Sequence, residues 1–467
     1  MNLTAVITIL YTVGVMVIGW LTTKKEGGAR EFFVAGGNLP WILLTPFLMA
    51  EYISGGTTVG VAESAHKTGI SIFWYYIGAP IGLSALAFGF AKFYQKIKKV
   101  TVGEAFGILF DRKTRLICVI TLVFLQMISS STAFLGLATI LAPMFGLSYE
   151  GGVILSVVSM IVMALIGLRG QAWMNVIHFA VIIITFFIVS VAAVGAAGGI
   201  GKITAALPPA HLNLWNMGFS TTAAYVLASS AIKLISLTAI VAMFAAKSEK
   251  DAKIGGVSTG FTILAFTLMP VLIGLAAKVL LPGISSKEAM WKMGEYLGGV
   301  MPSLVSVGVT AAIVSTTPGM LLSMGALVSR DLLMPFKPNC SEGQQITVCR
   351  IAVVLIAIAG ATLAYTLSRT GATIMQLIVK VVEVRTVIVI PLFVSIIWRR
   401  VSSTAAFWTV ISGVGAGFIS LFFHPKEEPL WPALGVGLIV LIVVSLVKKP
   451  SPYKGIEGLE LAEPSED

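Results

Sequence analysis

Leu48-Met49-Ala50-Glu51-Tyr52-Ile53-Ser54-Gly55-Gly56-Thr57-Thr58 lies inside an apolar run over residues 40–61. It places a carboxylate, hydroxyls and a glycine pair where a membrane-spanning helix would cross the bilayer centre. Unwound backbone is tolerated at that depth only against protein or a water-filled cavity, so the stretch predicts a span broken near its middle. The competing reading is that Gly55 and Gly56 only let two helices approach closely, as small residues do in membranes. The acid at Glu51 favours the break.

The rest of the chain supplies the membrane around that break. Its 467 residues are 57% hydrophobic and 11% charged, with a mean hydropathy of +0.95, against ~45–50% apolar in soluble domains. A bilayer crossing needs ~20 apolar residues. Such runs recur near 3–22, 40–61, 71–93, 115–141, 152–168, 174–198, 221–246, 256–280, 303–328, 350–369, 375–398, 404–424 and 430–447. The expectation is an all-α integral membrane protein with about thirteen transmembrane helices. Barrel strands would alternate over ~10 residues, whereas these runs are continuous. One transmembrane domain over 1–447 and a solvated cytoplasmic tail over 448–467 follow, with no room for a large soluble domain.

A net charge of +11 would suit a nucleic-acid binder, but its distribution gives it another meaning. With the loop of Lys24, Lys25 and Arg30 placed in the cytoplasm, most basic residues fall on that side. They include Lys96, Lys98, Lys99, Arg112, Lys113, Arg115, Arg399, Arg400, Lys448 and Lys449. The positive-inside rule then predicts the N-terminus outside and the C-terminus inside. Basic patches against anionic inner-leaflet lipid account for the charge without a nucleic-acid partner. The first span lacks a basic n-region and a cleavage site, so it reads as a permanent helix rather than a signal peptide. Cys118, Cys340 and Cys349 have no metal-ligand spacing and read as reduced bystanders.

Many crossings with short loops suit a pathway across the bilayer better than an anchored enzyme. With four His, three scattered Cys and no HExxH or GxSxG, no catalytic constellation is in view. In the ninth run, offsets of three and four put the Ala312 carbonyl and the hydroxyls of Ser315 and Thr316 on one helical face just before Pro318. Neutral oxygens of this kind replace the hydration shell of Na⁺. The plainer alternative is that both hydroxyls bond back to their own helix. Pro318 also removes a helix hydrogen bond to the Val314 carbonyl.

Several stretches now point the same way. Glu31-Phe32-Phe33-Val34-Ala35-Gly36-Gly37 precedes Leu39-Pro40-Trp41, and Thr101-Val102-Gly103-Glu104 follows the third run. Ala172-Trp173-Met174-Asn175-Val176-Ile177-His178, Ala245 through Lys253, and Pro391 through Trp398-Arg399-Arg400 come later. In order and spacing these resemble the signatures of the sodium:solute symporter family, whose members carry proline, pantothenate, sugars and sialic acids.

The resemblance implies a leucine-transporter-like fold of two inverted five-helix repeats, about 40–198 and 221–398, with one helix before and two after. It also implies a sodium site built from the carbonyls of Ala50, Ile53 and Ala312 and the hydroxyls of Ser315 and Thr316. Na⁺ would be the coupling ion, with no other cofactor, in a multi-pass cytoplasmic-membrane protein for which a monomer suffices. Where many members carry an Asp, this chain has Asn175, so one coupled ion is expected rather than two. Asn175 and His178 are the candidates for a second site or a gate; a hydrogen-bonded structural role is the plainer reading of His178.

Cargo is read from charges inside spans. Lys233 sits near the centre of the seventh run, and the fold analogy brings it towards Glu51. Glu51, Tyr52, Ser54 and Lys233 are therefore the candidate substrate contacts. Either Lys233 and Glu51 neutralise each other, or Lys233 holds a carboxylate of the cargo. Lys233 on a carboxylate with Glu51 on an amine points to import of an amino acid or similar zwitterion, whereas a Lys233–Glu51 pair leaves room for an organic acid; sugars are less favoured. Trp74, Tyr75 and Tyr76 either line the cavity or form an interfacial belt. Lys380 and Glu383 are spaced to pair along one helix, with Arg385 off that face. A proton-coupled symporter of the same fold is the nearest alternative, and a transporter-like sensor or channel a more distant one.

Overall fold

The computed structural model describes residues 3–23, 40–90, 101–165, 168–334, 336–337, 339–368, 374–424 and 427–450. The loops of Lys24 to Leu39 and of Lys96 to Lys99, the Trp173 side chain and the tail from Ser451 to Asp467 lie outside the described residues.

Among the described residues the regular elements are helices. In chain order, leaving out helices of seven residues or fewer, these are α1 (Leu3–Thr23), α2 (Trp41–Tyr52), α3 (Val61–Thr68), α4 (Phe73–Ala85), α5 (Val102–Leu109) and α6 (Arg112–Phe145). There follow α7 (Tyr149–Ala164), α8 (Leu168–Ala196), α9 (Gly218–Leu234), α10 (Leu237–Ala245), α11 (Glu249–Leu280) and α12 (Ala289–Leu297). The last third holds α13 (Met301–Leu327), α14 (Glu342–Ser368), α15 (Ile374–Arg385), α16 (Val389–Ile397), α17 (Ser403–Phe423) and α18 (Leu430–Val447).

Among the described residues nine helices are long and apolar enough to cross a membrane, or ten if α9 and α10, bent by 55°, form one span. The difference from the thirteen apolar runs has a physical reason: several runs are interrupted. The second is α2, a π-helical turn at Gly56–Gly60 and α3. The eleventh is α15, a 3₁₀ turn at Thr386–Ile388 and α16. The fifth is the 16-residue α7, short of a straight crossing.

Helix α13 is the central post, in contact with α1, α2, α6, α7, α8, α12 and α14. Its hydroxyls tie α1 to it, through Thr8 to Ser306 (2.9 Å) and Thr4 to Ser303 (3.2 Å). Close approach elsewhere rests on glycine. A Cβ on Gly78 of α4 would lie 2.7 Å from both the Ser229 Cβ and the Val226 carbonyl oxygen of α9. With Gly82 one turn on, this is the small-xxx-small packing of membrane helices.

One face of the bundle is strongly basic. There Asp111 caps α6 by accepting from the Thr114 amide (2.8 Å), and the Thr114 hydroxyl reaches the Ser403 carbonyl (3.1 Å). On the same face the fully buried Asp331 carboxylate accepts from Arg115 Nη2 (2.6 Å), Arg115 Nε (3.1 Å) and the Thr101 hydroxyl (3.3 Å). Thr101 and Glu104 form a capping box that starts α5. Asp331 thus joins the end of α13 to α5 and α6. Replacing Asp331 with Ala is expected to lower stability by about 1–3 kcal/mol, since charge-assisted bonds to a buried group are lost. A melting temperature equal to that of the wild type would refute this clamp.

Candidate functional site

Helix α2 ends at mid-bundle because Ile53 turns extended (φ −88°, ψ 95°) and the chain re-enters a helix only at Gly56. A helix end leaves carbonyls without intrahelical donors, and side chains take them up here. The Thr57 hydroxyl donates to the Tyr52 carbonyl (2.7 Å), and the Thr58 hydroxyl to that of Ser54 (2.9 Å). The Ile53 carbonyl is met from another element: the Thr316 hydroxyl of α13 approaches it at 2.9 Å.

Thr316 Oγ1 also lies 3.1 Å from the Ala312 carbonyl oxygen, and Ser315 Oγ lies 3.0 Å from the same atom. The back-bonding to the α13 backbone that the plainer reading expected is therefore present. It does not account for the contact with Ile53, 263 residues away in sequence. One hydroxyl proton does not serve two carbonyls at once, so the Thr316 contact with Ile53 competes with its back-bond to Ala312. The oxygens of this cluster are neutral, the donor chemistry that suits a hard monovalent cation. Ile53, Ala312, Ser315 and Thr316 are brought together and buried. Ala50 belongs to the last turn of α2, but its side chain and that of Glu51 lie outside the described residues. Helix α13 continues through Pro318.

Beside the cluster is a cavity of about 160 Å³ lined by the α2 break, α4, α6, α9, α13 and α15. Tyr52 and Ser54 line it, as does Lys233, whose ammonium sits 3.7 Å from the centroid of the Tyr52 ring. This cation–π contact joins α9 to the end of α2. Helix α9 stops one residue after Lys233, and Ser236 then caps α10 by accepting from the Ala239 amide (3.3 Å). A cation in the last turn of a half-helix is favoured by the helix dipole. Arg385 repeats the arrangement at the end of α15, is 8% exposed and lines the same cavity.

Tyr75 and Tyr76 line the cavity as well, whereas Trp74 packs at a tilt against Trp215 (ring centroids 4.8 Å apart) and donates to the Leu214 carbonyl (3.0 Å), away from it. Asn175 and His178 are buried in α8 and do not line it. His178 Nδ1 is hydrogen-bonded to the Tyr11 hydroxyl, which joins α8 to α1. Lys380 and Glu383 do not form the pair their spacing suggested: Lys380 Nζ reaches the Glu427 carbonyl (3.4 Å), and neither Glu383 oxygen makes a hydrogen bond of good geometry.

Sequence reasoning misses five contributors. Helical spacing only places Arg385 off the face of Lys380 and Glu383. Ser129, Ser130 and Thr132 of α6 line the cavity, and the run Ser129-Ser130-Ser131-Thr132 at mid-membrane was the signal for them. Thr317, next to Thr316, is buried with its hydroxyl unpartnered and lines the cavity.

The family model described as "Sodium:solute symporter family" matches residues 32–413. The chain belongs to that family. It is a multi-pass cell-membrane transporter rather than an enzyme. This symporter is 21% identical over 485 residues to an uncharacterized symporter, YwcA, of Bacillus subtilis (strain 168), covering 97% of this chain and 93% of the relative. It is 23% identical over 458 residues to the sodium/pantothenate symporter of Escherichia coli (strain K12), covering 90% and 91%. Its fold matches that of a Na⁺-coupled sialic acid symporter, solved substrate-bound and outward-open, with a TM-score of 0.83 at 15% identity over 97% of this chain and 99% of the other. The leucine-transporter-like architecture expected from the sequence is thus the observed one.

Proposed function

We propose that this symporter imports a small carboxylate-bearing solute, an amino acid or an organic acid, driven by Na⁺ bound to Ala50, Ile53, Ala312, Ser315 and Thr316. The observation that carries the reading is the Thr316 hydroxyl meeting the Ile53 carbonyl at 2.9 Å across the α2 break. A cation there links α2 to α13, so it favours whichever state of the transporter assembles the cluster. Cargo bound beside the α2 break and Na⁺ bound within it each tighten the other, because coupling is reciprocal.

The cavity wall supports an anionic cargo. Among its described residues are two cations, Lys233 and Arg385, and no carboxylate. Lys233, Tyr52, Ser54 and Glu51 remain the proposed contacts, with Arg385 added. A volume of about 160 Å³ is close to that of an engineered cavity of ~150 Å³ that holds benzene, which favours a compact solute over an oligosaccharide. The cavity reaches Val102 and Leu327 near the basic face, which supports reading it as a cytoplasm-facing vestibule. Thirteen crossings, an outside N-terminus, a cytoplasmic C-terminus and repeats near 40–198 and 221–398 complete the proposal. A monomer suffices for it, embedded in lipid.

A melting-temperature screen of the purified protein against amino acids and small carboxylates, in Na⁺ and in K⁺ at equal ionic strength, tests this. A ligand that binds the folded state raises the melting temperature by mass action. The expected result is a carboxylate that stabilises by several degrees in Na⁺ only. Equal stabilisation in K⁺ that grows as pH falls would replace Na⁺ with H⁺ as the coupling ion. Stabilisation by neutral solutes alone would overturn the cargo class.

A further inference from the structure

Glu383, in α15, is fully buried, and its oxygens make no hydrogen bond of good geometry, with the Glu428 carboxyl and the Leu430 backbone beside them. A lone ionised carboxylate in such surroundings is too costly to persist; it takes up a proton or a cation. The group facing it is another acid, Glu428, in the segment that leads into α18. Glu428 Oε1 accepts from the Thr221 hydroxyl of α9 (2.9 Å), while Oε2 is buried without a hydrogen bond of good geometry. The segment is held in place on either side, by Lys380 Nζ on the Glu427 carbonyl (3.4 Å) and by Trp431 Nε1 on the Ser220 hydroxyl (2.9 Å).

Among the described residues, the other ionisable groups about Glu383 are Lys380 and Arg385 on its own helix, Tyr225 of α9 and Tyr75 of α4. Helices α17 and α18 contain no ionisable side chain, and those of α6 sit in its first two turns, at the far end. No ring of carbonyls and hydroxyls of the kind found around Thr316 surrounds the pair among the described residues, so a proton is the ligand the site fits.

We propose that Glu383 and Glu428 form a proton-binding site in which one shared proton latches the segment before α18 onto α9 and α15. Two carboxyls in one apolar site cannot both ionise, and the proton they keep belongs to the pair. When the proton leaves for solvent, like charges face each other and the latch is pushed open. The site lies on the face opposite the Asp331 clamp and is separate from the Na⁺ cluster, which makes transport sensitive to pH on that side independently of the coupling ion.

Infrared difference spectroscopy on the purified full-length protein reads the C=O stretch of a protonated carboxylic acid directly and needs no cargo. The expected result is that wild type minus E383Q shows such a band at about pH 7, shifted in heavy water and unchanged when Na⁺ replaces K⁺. In E428Q the band remains, but the pH at which it titrates falls by about 1 unit or more, because removing the neighbouring charge eases ionisation. Absence of the band from the difference spectrum, its loss on adding Na⁺, or a wild-type midpoint in E428Q would overturn the proposal. Should E383Q fail to fold, E383D serves: the shortened acid keeps a proton but separates from Glu428, and its band must titrate at lower pH than that of the wild type.

Discussion

Thr316→Ala is expected to raise the Na⁺ concentration for half-maximal uptake by about tenfold or more, with the protein still inserted in the membrane. An oxygen interacting with a charged group contributes about 1.5–3 kcal/mol, and every ~1.4 kcal/mol is a factor of ten in affinity. The substitution removes the hydroxyl and, with it, the donor to the Ile53 carbonyl, so both the ion and the α2–α13 link are weakened. Ser315→Ala, which removes one oxygen beside the Ala312 carbonyl, is expected to act in the same direction with a smaller effect. Thr316→Ser keeps the hydroxyl and should stay near wild type, which separates a ligand role from a packing role. The Na⁺-dependent rise in melting temperature reports the same affinity before any cargo is known. Unchanged sodium dependence in both alanine variants would remove Ser315 and Thr316 from the site.

Gly82→Leu is expected to abolish monodisperse protein, and Gly82→Ala to cost about 1–3 kcal/mol through overpacking. A Cβ at Gly82 would lie 2.9 Å from the Lys233 Cγ and closer still to the Ser230 carbonyl oxygen. The latter is backbone and has no rotamer to escape into. Relief would require α4 and α9 to separate, which also moves Lys233 away from the Tyr52 ring. Gly435→Ala in α18 is the control: a Cβ there meets nothing within 4 Å, and the gain in helix propensity should leave it neutral or slightly stabilised. Size-exclusion profiles and melting temperatures of the three variants decide the matter. A Gly82→Ala protein as stable as wild type would mean that α4 and α9 are not packed this closely.

The parts of this architecture legible in the sequence are those carried by local composition. Apolar runs mark the helices because each crossing must bury its own length in hydrocarbon. The α2 break is legible because Gly55-Gly56 next to Glu51 violates what a continuous buried helix tolerates. The break between α9 and α10 is not: Ile235 and Ser236 are unremarkable residues, and no glycine or proline marks the 55° bend. The 3₁₀ turn after Arg385 is equally silent, since Thr386-Val387-Ile388 reads as more apolar helix.

The same limit holds for the site. The face of α13 bearing Ala312, Ser315 and Thr316 follows from helical spacing alone. Which carbonyl it would meet does not, because Ile53 is 263 residues away and only the packing of α2 against α13 joins them. Arg385 and Ser129 were readable as polar groups in spans, but their membership of the cavity depends on helix rotation, which apolar periodicity leaves open when all sides of a helix are hydrophobic. Lys380 and Glu383 show the reverse error, since a spacing that permits a pair does not make one when the Glu427 carbonyl competes for the ammonium. By itself the sequence determined the membrane class, the family and one face of the oxygen cluster proposed to hold Na⁺, all of which rest on residues close together along the chain. The tertiary structure alone decided the second carbonyl, the cationic cavity wall and the facing acids Glu383 and Glu428, because each needs distant parts of the chain packed at a particular rotation.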